Sequence, residues 1–299
     1  MPMKRDAKAR VIDWLLVAMI VAPFVFSMTL KVLFKPASEG ISITGAQVYF
    51  TIPMPVMDLP ITESQVNSLM VVLSILGLCL YLTHGISVAP HSKRQIVAEW
   101  IVEKVQNLVN SNMGAYFSAF APFIAGIMFI SAFSSLSSLL GLFPPTSDMN
   151  IVAGWAILVF VLITYYKLKG GLLPYVKGFF EPVFIFAPFN IIGEVATPVS
   201  MSFRHYGNVL SGMVISTLVA YALQTLSHKL LGWLPGVLGQ FPFLQVGLPA
   251  ILSLYFDIFS GLMQAFIFAL LTTIYISTGF PQEEYERRKA KRKKALHTA

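Results

Sequence analysis

The chain has 299 residues, 56% hydrophobic and only 12% charged, with a mean hydropathy of +0.72 and a formal net charge of +7. Soluble domains carry about 25% charged residues, so composition excludes a water-soluble globule. The basic excess tracks topology rather than nucleic acid: seventeen of the 21 Lys and Arg lie in Lys4 to Arg10, Lys93 to Lys104, Lys167 to Lys177 and Arg287 to Lys294, and these stretches alternate with apolar runs as cytoplasmic loops do.

In chain order, residues 1–10 form a cationic cytoplasmic start. Val11 to Phe34 is long enough to span a bilayer. A signal peptide is the competing reading, but the apolar region is long for one and no small-x-small pattern follows closely. Residues 35–64 read as an outer loop, where prolines and the patch Tyr49 to Ile52 favour extended chain over helix. Thr62 and Ser64 flank Glu63 at the next helix start, and Val66 to His84 is the second span. Residues 93–113 are amphipathic: Ile96, Val97, Trp100, Ile101, Val105 and Leu108 oppose Gln95, Glu99, Glu103, Gln106 and Asn110. That pattern suits a helix lying on the inner membrane surface or against a partner protein.

Phe117 to Phe143 is the third span, and its serines between 131 and 138 favour close helix packing over a wet path. Pro144 to Asp148 is an outer turn, Ile151 to Tyr166 the fourth span and Lys167 to Lys177 an inner loop. The block 182–280 has cytoplasmic flanks and so crosses an even number of times. Its break falls between Gly232 and Pro249, leaving two helices of roughly 60 Å, twice the hydrocarbon thickness. The spacing predicts a hairpin of long tilted helices, the first loosened at Pro198. The expected architecture is one all-α integral membrane domain over 1–299, with six crossings, an extra amino-terminal span at 11–34, the interfacial helix, the 182–280 hairpin and a basic cytoplasmic tail at 281–299.

Arg204 is the one basic residue not placed outside the hydrocarbon. Asn190, Glu194, Thr197, Met201, Arg204, Asn208 and Ser211 share a helical stripe. Ser253, Asp257, Ser260 and Gln264 make a second stripe on the returning helix. Ionisable residues at membrane depth are costly and mark ion pathways. Glu194 and Asp257 are candidates for a proton relay, for ion access or for structural pairing with Arg204. His205 points about 100° away from Arg204 and is either a packed ring or a relay. There is no P-loop, HExxH or nucleophile elbow, so no nucleotide, metal or cofactor site is expected.

The segment FRHYGNVLSG resembles the arginine signature of subunit a of the F-type ATP synthase. MQAFIFALLTTIYIS resembles that family's last helix, and FAPFIAGIMFISAFSSLSSLLGLFP its middle span. The resemblance covers roughly residues 40–280. It implies a non-catalytic, ion-translocating stator with two half-channels that reach the carboxylates of a rotating c ring. Its implied partners are c subunits, the peripheral stalk subunit b and the rest of the synthase in a bacterial plasma membrane, with both chain ends cytoplasmic. By this resemblance Arg204 is the barrier charge facing the ring, Gln264 and Asn208 the amides near it and Ser200 the upstream hydroxyl. Glu194 is then an acid of the inner path. The sequence departs from the family at Met213, where many members carry an acid. It departs again at Asp257, where many carry His or Glu, and at His205-Tyr206 in place of Leu-Phe. A secondary transporter binding an anion at Arg204 is the alternative, disfavoured by the lack of an internal repeat.

Overall fold

The computed structural model describes residues 7–34, 45–55, 57–88, 92–181, 183–233, 241–245, 247–283 and 285–287. The expected basic start before residue 7, the 35–44 loop, the 234–240 break and the tail from 288 lie outside these. Among the described residues, six helical stretches are long and apolar enough to cross a membrane: Arg10–Leu33, Glu63–Thr83, Tyr116–Leu140, Met149–Lys169, Phe184–Leu231 and Phe243–Gly279. The chain is an all-α membrane protein, with one small β-hairpin among the described residues.

Helices α1 (Ala7–Leu33) and α2 (Glu63–Thr83) form an antiparallel pair. Gly77 permits the contact, since a Cβ there would stand 3.0 Å from the Met19 backbone. Ser74 Oγ donates to the Ile20 carbonyl at 2.7 Å. Strand β1 (Val48–Ile52) pairs antiparallel with β2 (Leu59–Thr62), so the short extended piece expected at Tyr49 to Ile52 is one arm of a hairpin. β2 runs directly into α2, whose start is fixed by a capping box between Thr62 and Gln65.

Helix α3 (Lys93–Met113) divides its apolar residues between two environments. Val105, Val109 and Met113 enter the helix bundle, while Ile96, Val97 and Trp100 stay exposed. Helix α4 (Ala121–Leu136) is flanked by 3-10 turns at Ala115–Phe120 and Ser137–Leu140. Helix α5 (Met149–Lys169) starts at Asp148, whose carboxylate accepts from Asn150 N. The expected inner loop contains a short helix, α6 (Leu172–Gly178).

Helix α7 (Ala187–Leu231) is followed by α8 (Leu248–Ser253), a π-helical segment (Leu254–Ser260) and α9 (Gly261–Gly279). The expected loosening at Pro198 does not interrupt α7, which continues through it as helix. The returning arm carries an irregularity of its own, in the π-helical turns. At 45 residues, α7 is about 67 Å long and cannot stand upright in a hydrocarbon layer of about 30 Å. The core lies among α3, α4, α5 and α9, around Val109, Ile124, Val159, Phe268, Ala269 and Ile276. Ser131, Ser134 and Ser135 are buried there. A Cβ on Gly261 would lie 2.8 Å from Ser135 Cβ, so small residues on both helices let α4 and α9 approach closely.

One end of the bundle carries the hairpin and the Pro144 turn. There Lys31 Nζ donates to the Gly141 carbonyl at 2.5 Å and lies 3.5 Å from Glu63 Oε1. Glu63, buried, accepts from Phe143 N at 3.2 Å. Asn67 Nδ2 donates to Phe143 O at 2.9 Å, and the Ser64 hydroxyl donates to Asp148. These contacts fasten α1 and α2 to the α4–α5 turn. At the opposite, basic end, Arg94 Nη1 meets Asp13 Oδ1 at 2.7 Å, joining α1 to α3.

Candidate functional site

The site is built on α7, which packs on α5 and the returning arm and leaves much of its surface open. Only 6% of its most apolar 18-residue stretch is buried, against 28% for the returning arm. Arg204 lies on the open side. Its side chain is exposed, and among the described residues no carboxylate forms an ion pair with it. Ser200, one turn earlier, is also exposed.

His205 turns the other way and is fully buried. Its Nε2 is 3.2 Å from Ser131 Oγ, and its ring meets Phe268 and Trp155 edge-on at centroid distances of 5.5 and 6.0 Å. Nδ1 has no partner among the described residues. The structure therefore places His205 in the α4–α5–α9 core, on a different side of α7 from Arg204.

Asn208, one turn beyond Arg204, donates from Nδ2 to Ser260 Oγ at 2.6 Å, tying α7 to the end of the π-helical segment. Gly212 makes this approach feasible, because a Cβ there would lie 2.9 Å from the Phe256 side chain. Asp257 accepts from Ser253 one turn earlier on its own arm. Gln264 is buried in the first turns of α9. The two polar stripes thus touch through Asn208 and Ser260. The structural ion pair with Arg204 considered for Glu194 and Asp257 is made by neither acid.

Glu194 pairs instead with Lys167 at the end of α5, Nζ to Oε1 at 2.5 Å. It lies ten residues from Arg204, about 15 Å along the helix axis, on the wall of a 590 Å³ cavity. That cavity opens at the basic end among α5, α6, α7 and α9, with Lys167, Tyr175, Asn190, Glu194 and Thr197 in its lining. Burial first, then the Glu194 carboxylate, raises the Tyr175 phenol above its ordinary range. In the sequence Lys167 reads only as a topology marker. It sits 27 residues from Glu194 on another helix, and no spacing rule connects them.

Residues 66–277 match the family described as ATP synthase A chain. The ATP synthase subunit a of Bacillus pumilus is 31% identical over 236 residues, covering 73% of this chain and 93% of that protein. The Bacillus subtilis subunit a is 31% identical over 234 residues, with the same coverage. The Propionigenium modestum protein named ATP synthase subunit a, sodium ion specific, is 26% identical over 275 residues, 81% of this chain and 88% of that one. With an exposed intramembrane guanidinium on a helix too long to stand upright, and a family match over most of its length, this chain belongs to the subunit a family of the F-type ATP synthase, the ion-translocating and non-catalytic membrane subunit of that complex.

Proposed function

We propose that α7 presents Arg204 to the carboxylates of a c-subunit ring in a bacterial plasma membrane. In this reading the basic end of the bundle and both chain ends are cytoplasmic, and a peripheral b subunit completes the stator. One observation carries the proposal: Arg204 is exposed and unpaired among the described residues while its sequence neighbour His205 is fully buried. A charge on an apolar helix needs a partner of opposite sign, and a passing rotor carboxylate is a partner that arrives and leaves.

Arginine suits the task because it does not titrate. Its fixed charge favours the ionised rotor carboxylate and repels a cation taking the short route between the two access paths. Each unit charge crossing 100 mV gains about 2.3 kcal/mol, which a direct leak would dissipate. The inner path follows the cavity beside Glu194. The outer path follows Asp257 and Ser253 toward the Asn208–Ser260 contact, with Gln264 buried in the first turns of α9. Ser200 lies on the ring-facing side. His205 supports this surface from behind as a packed ring.

The coupling ion in this reading is the proton. The sodium-specific name of one relative favours sodium as the second reading; ATP-driven transport measured with and without sodium separates them. Docking is tested by disulfide trapping. In a Cys79→Ser background, Ser200→Cys is expected to cross-link to a cysteine on the outer helix of subunit c. No product at any c position along that helix would contradict the ring-facing assignment.

A further inference from the structure

Lys167, in the last turn of α5, sets its ammonium on Glu194, and the pair stands where two cavities meet. The larger, of 590 Å³, opens at the basic end. The smaller, of 140 Å³, continues deeper to Phe160, Ile163 and Tyr275. Lys167, Glu194, Thr197, Thr278 and Gly279 line both. The crossing depends on Gly279: a Cβ there would lie 3.1 Å from Lys167 Cε and 3.2 Å from Cγ. Its lack of a side chain makes room for the lysine stem. The other amine at this helix end, Lys169, is held over the Tyr166 ring at 4.5 Å, so Lys167 is the one aimed across the passage.

We infer that Lys167 is the gating residue of the inner access path: its ammonium, seated on Glu194, closes the passage between the two cavities, and ions pass when it swings away. This rests on the reading that the inner path runs beside Glu194. An ammonium on the carboxylate occupies the position a travelling cation must take and repels that cation by like charge. Lysine suits a gate better than arginine, being a point charge on a flexible stem without a bidentate grip. The pair is partly exposed, at 27% for Lys167 and 17% for Glu194, and partly solvated pairs are weak enough to open thermally.

The test uses inverted vesicles carrying the whole complex, a Cys79→Ser background and a membrane-impermeant thiol reagent. Gly193→Cys reports on the outer cavity alone, where a Cβ has open space. Phe160→Cys reports on the deeper one alone. Lys167→Met keeps the unbranched stem and removes the charge. The expected result is an unchanged labelling rate at Gly193→Cys and at least a threefold faster rate at Phe160→Cys. Lys167→Arg should stay near the parent rate. Passive ion conduction after removal of the soluble catalytic sector should rise in parallel. Equal Phe160→Cys rates with and without Lys167→Met would overturn the gate while leaving the inner path intact. An inert Gly193→Cys would overturn the inner-path reading, and the gate with it. If Lys167→Met fails to co-purify with the c ring while Lys167→Arg assembles, the pair is a fold clamp and the gate is overturned.

Discussion

Arg204 and His205 are adjacent on α7 and face opposite environments: the guanidinium is exposed, and the imidazole is fully buried against Ser131, Trp155 and Phe268. The imidazole's packing sets the roll of α7 and therefore the direction of the guanidinium. A packing role has a distinct signature. His205→Leu, which fills much of the same space without a titratable ring, is expected to keep ATP-driven pumping within about twofold, since volume-conserving core swaps are tolerated best. A drop of more than tenfold with the complex assembled would restore the relay role.

The Asn208–Ser260 hydrogen bond is a direct polar tie between α7 and the π-helical segment. Such side-chain bonds in membranes couple by about 0.6 kcal/mol on average. A double-mutant cycle of Asn208→Ala and Ser260→Ala, read by thermal denaturation of the detergent-solubilised complex, should return a coupling of that order. Additive single effects would show that the contact contributes nothing.

At the hairpin end, Glu63 and Lys31 contribute unequally. Glu63 is buried and accepts from Phe143 N, whereas the Lys31 side chain is 40% exposed. Glu63→Ala strands the Phe143 backbone donor, so it should destabilise by about 1.5–3 kcal/mol. Lys31→Ala should cost no more than about 1 kcal/mol, as partly exposed pairs do. Thermal unfolding of the two variants side by side decides this; equal losses would mean that the ion pair, and not the Phe143 contact, holds the latch.

Tyr49 gives a pH signature for the same region. Burial, with the Glu63 carboxylate second, pushes its phenol up to about 12. A raised pKa means that the folded hairpin binds the proton more tightly than the unfolded chain, whose phenol titrates near 10. The stabilising effect is therefore complete below pH 10 and lost as pH rises toward 12. Difference absorbance of phenolate, wild type minus Tyr49→Phe, should show one tyrosine titrating near 12. Titration of that residue near 10 would contradict its burial.

Much of this was legible in the sequence because hydropathy and charge placement are read directly by a bilayer. The six long apolar helices among the described residues follow from run length and basic loops, and the two polar stripes that touch at Asn208 and Ser260 follow from helical spacing. Contacts between distant helices were not legible. Lys167–Glu194, Lys31–Glu63 and Ser64–Asp148 join residues far apart in the chain, and helix periodicity states which face a residue is on, not what that face meets. Pro198 is visible in the sequence and lies inside α7, where a proline is tolerated when neighbouring groups take up the freed backbone positions. The π-helical segment carries no such marker.

The central claim is that Arg204 is a barrier charge at the rotor surface. The most direct measurement is ATP-driven acidification in inverted vesicles carrying the whole complex with Arg204→Ala, alongside co-purification of this subunit with the c ring. The expected result is abolished acidification from a normally assembled complex. Acidification at the wild-type rate would contradict the claim and reduce Arg204 to a surface residue of α7.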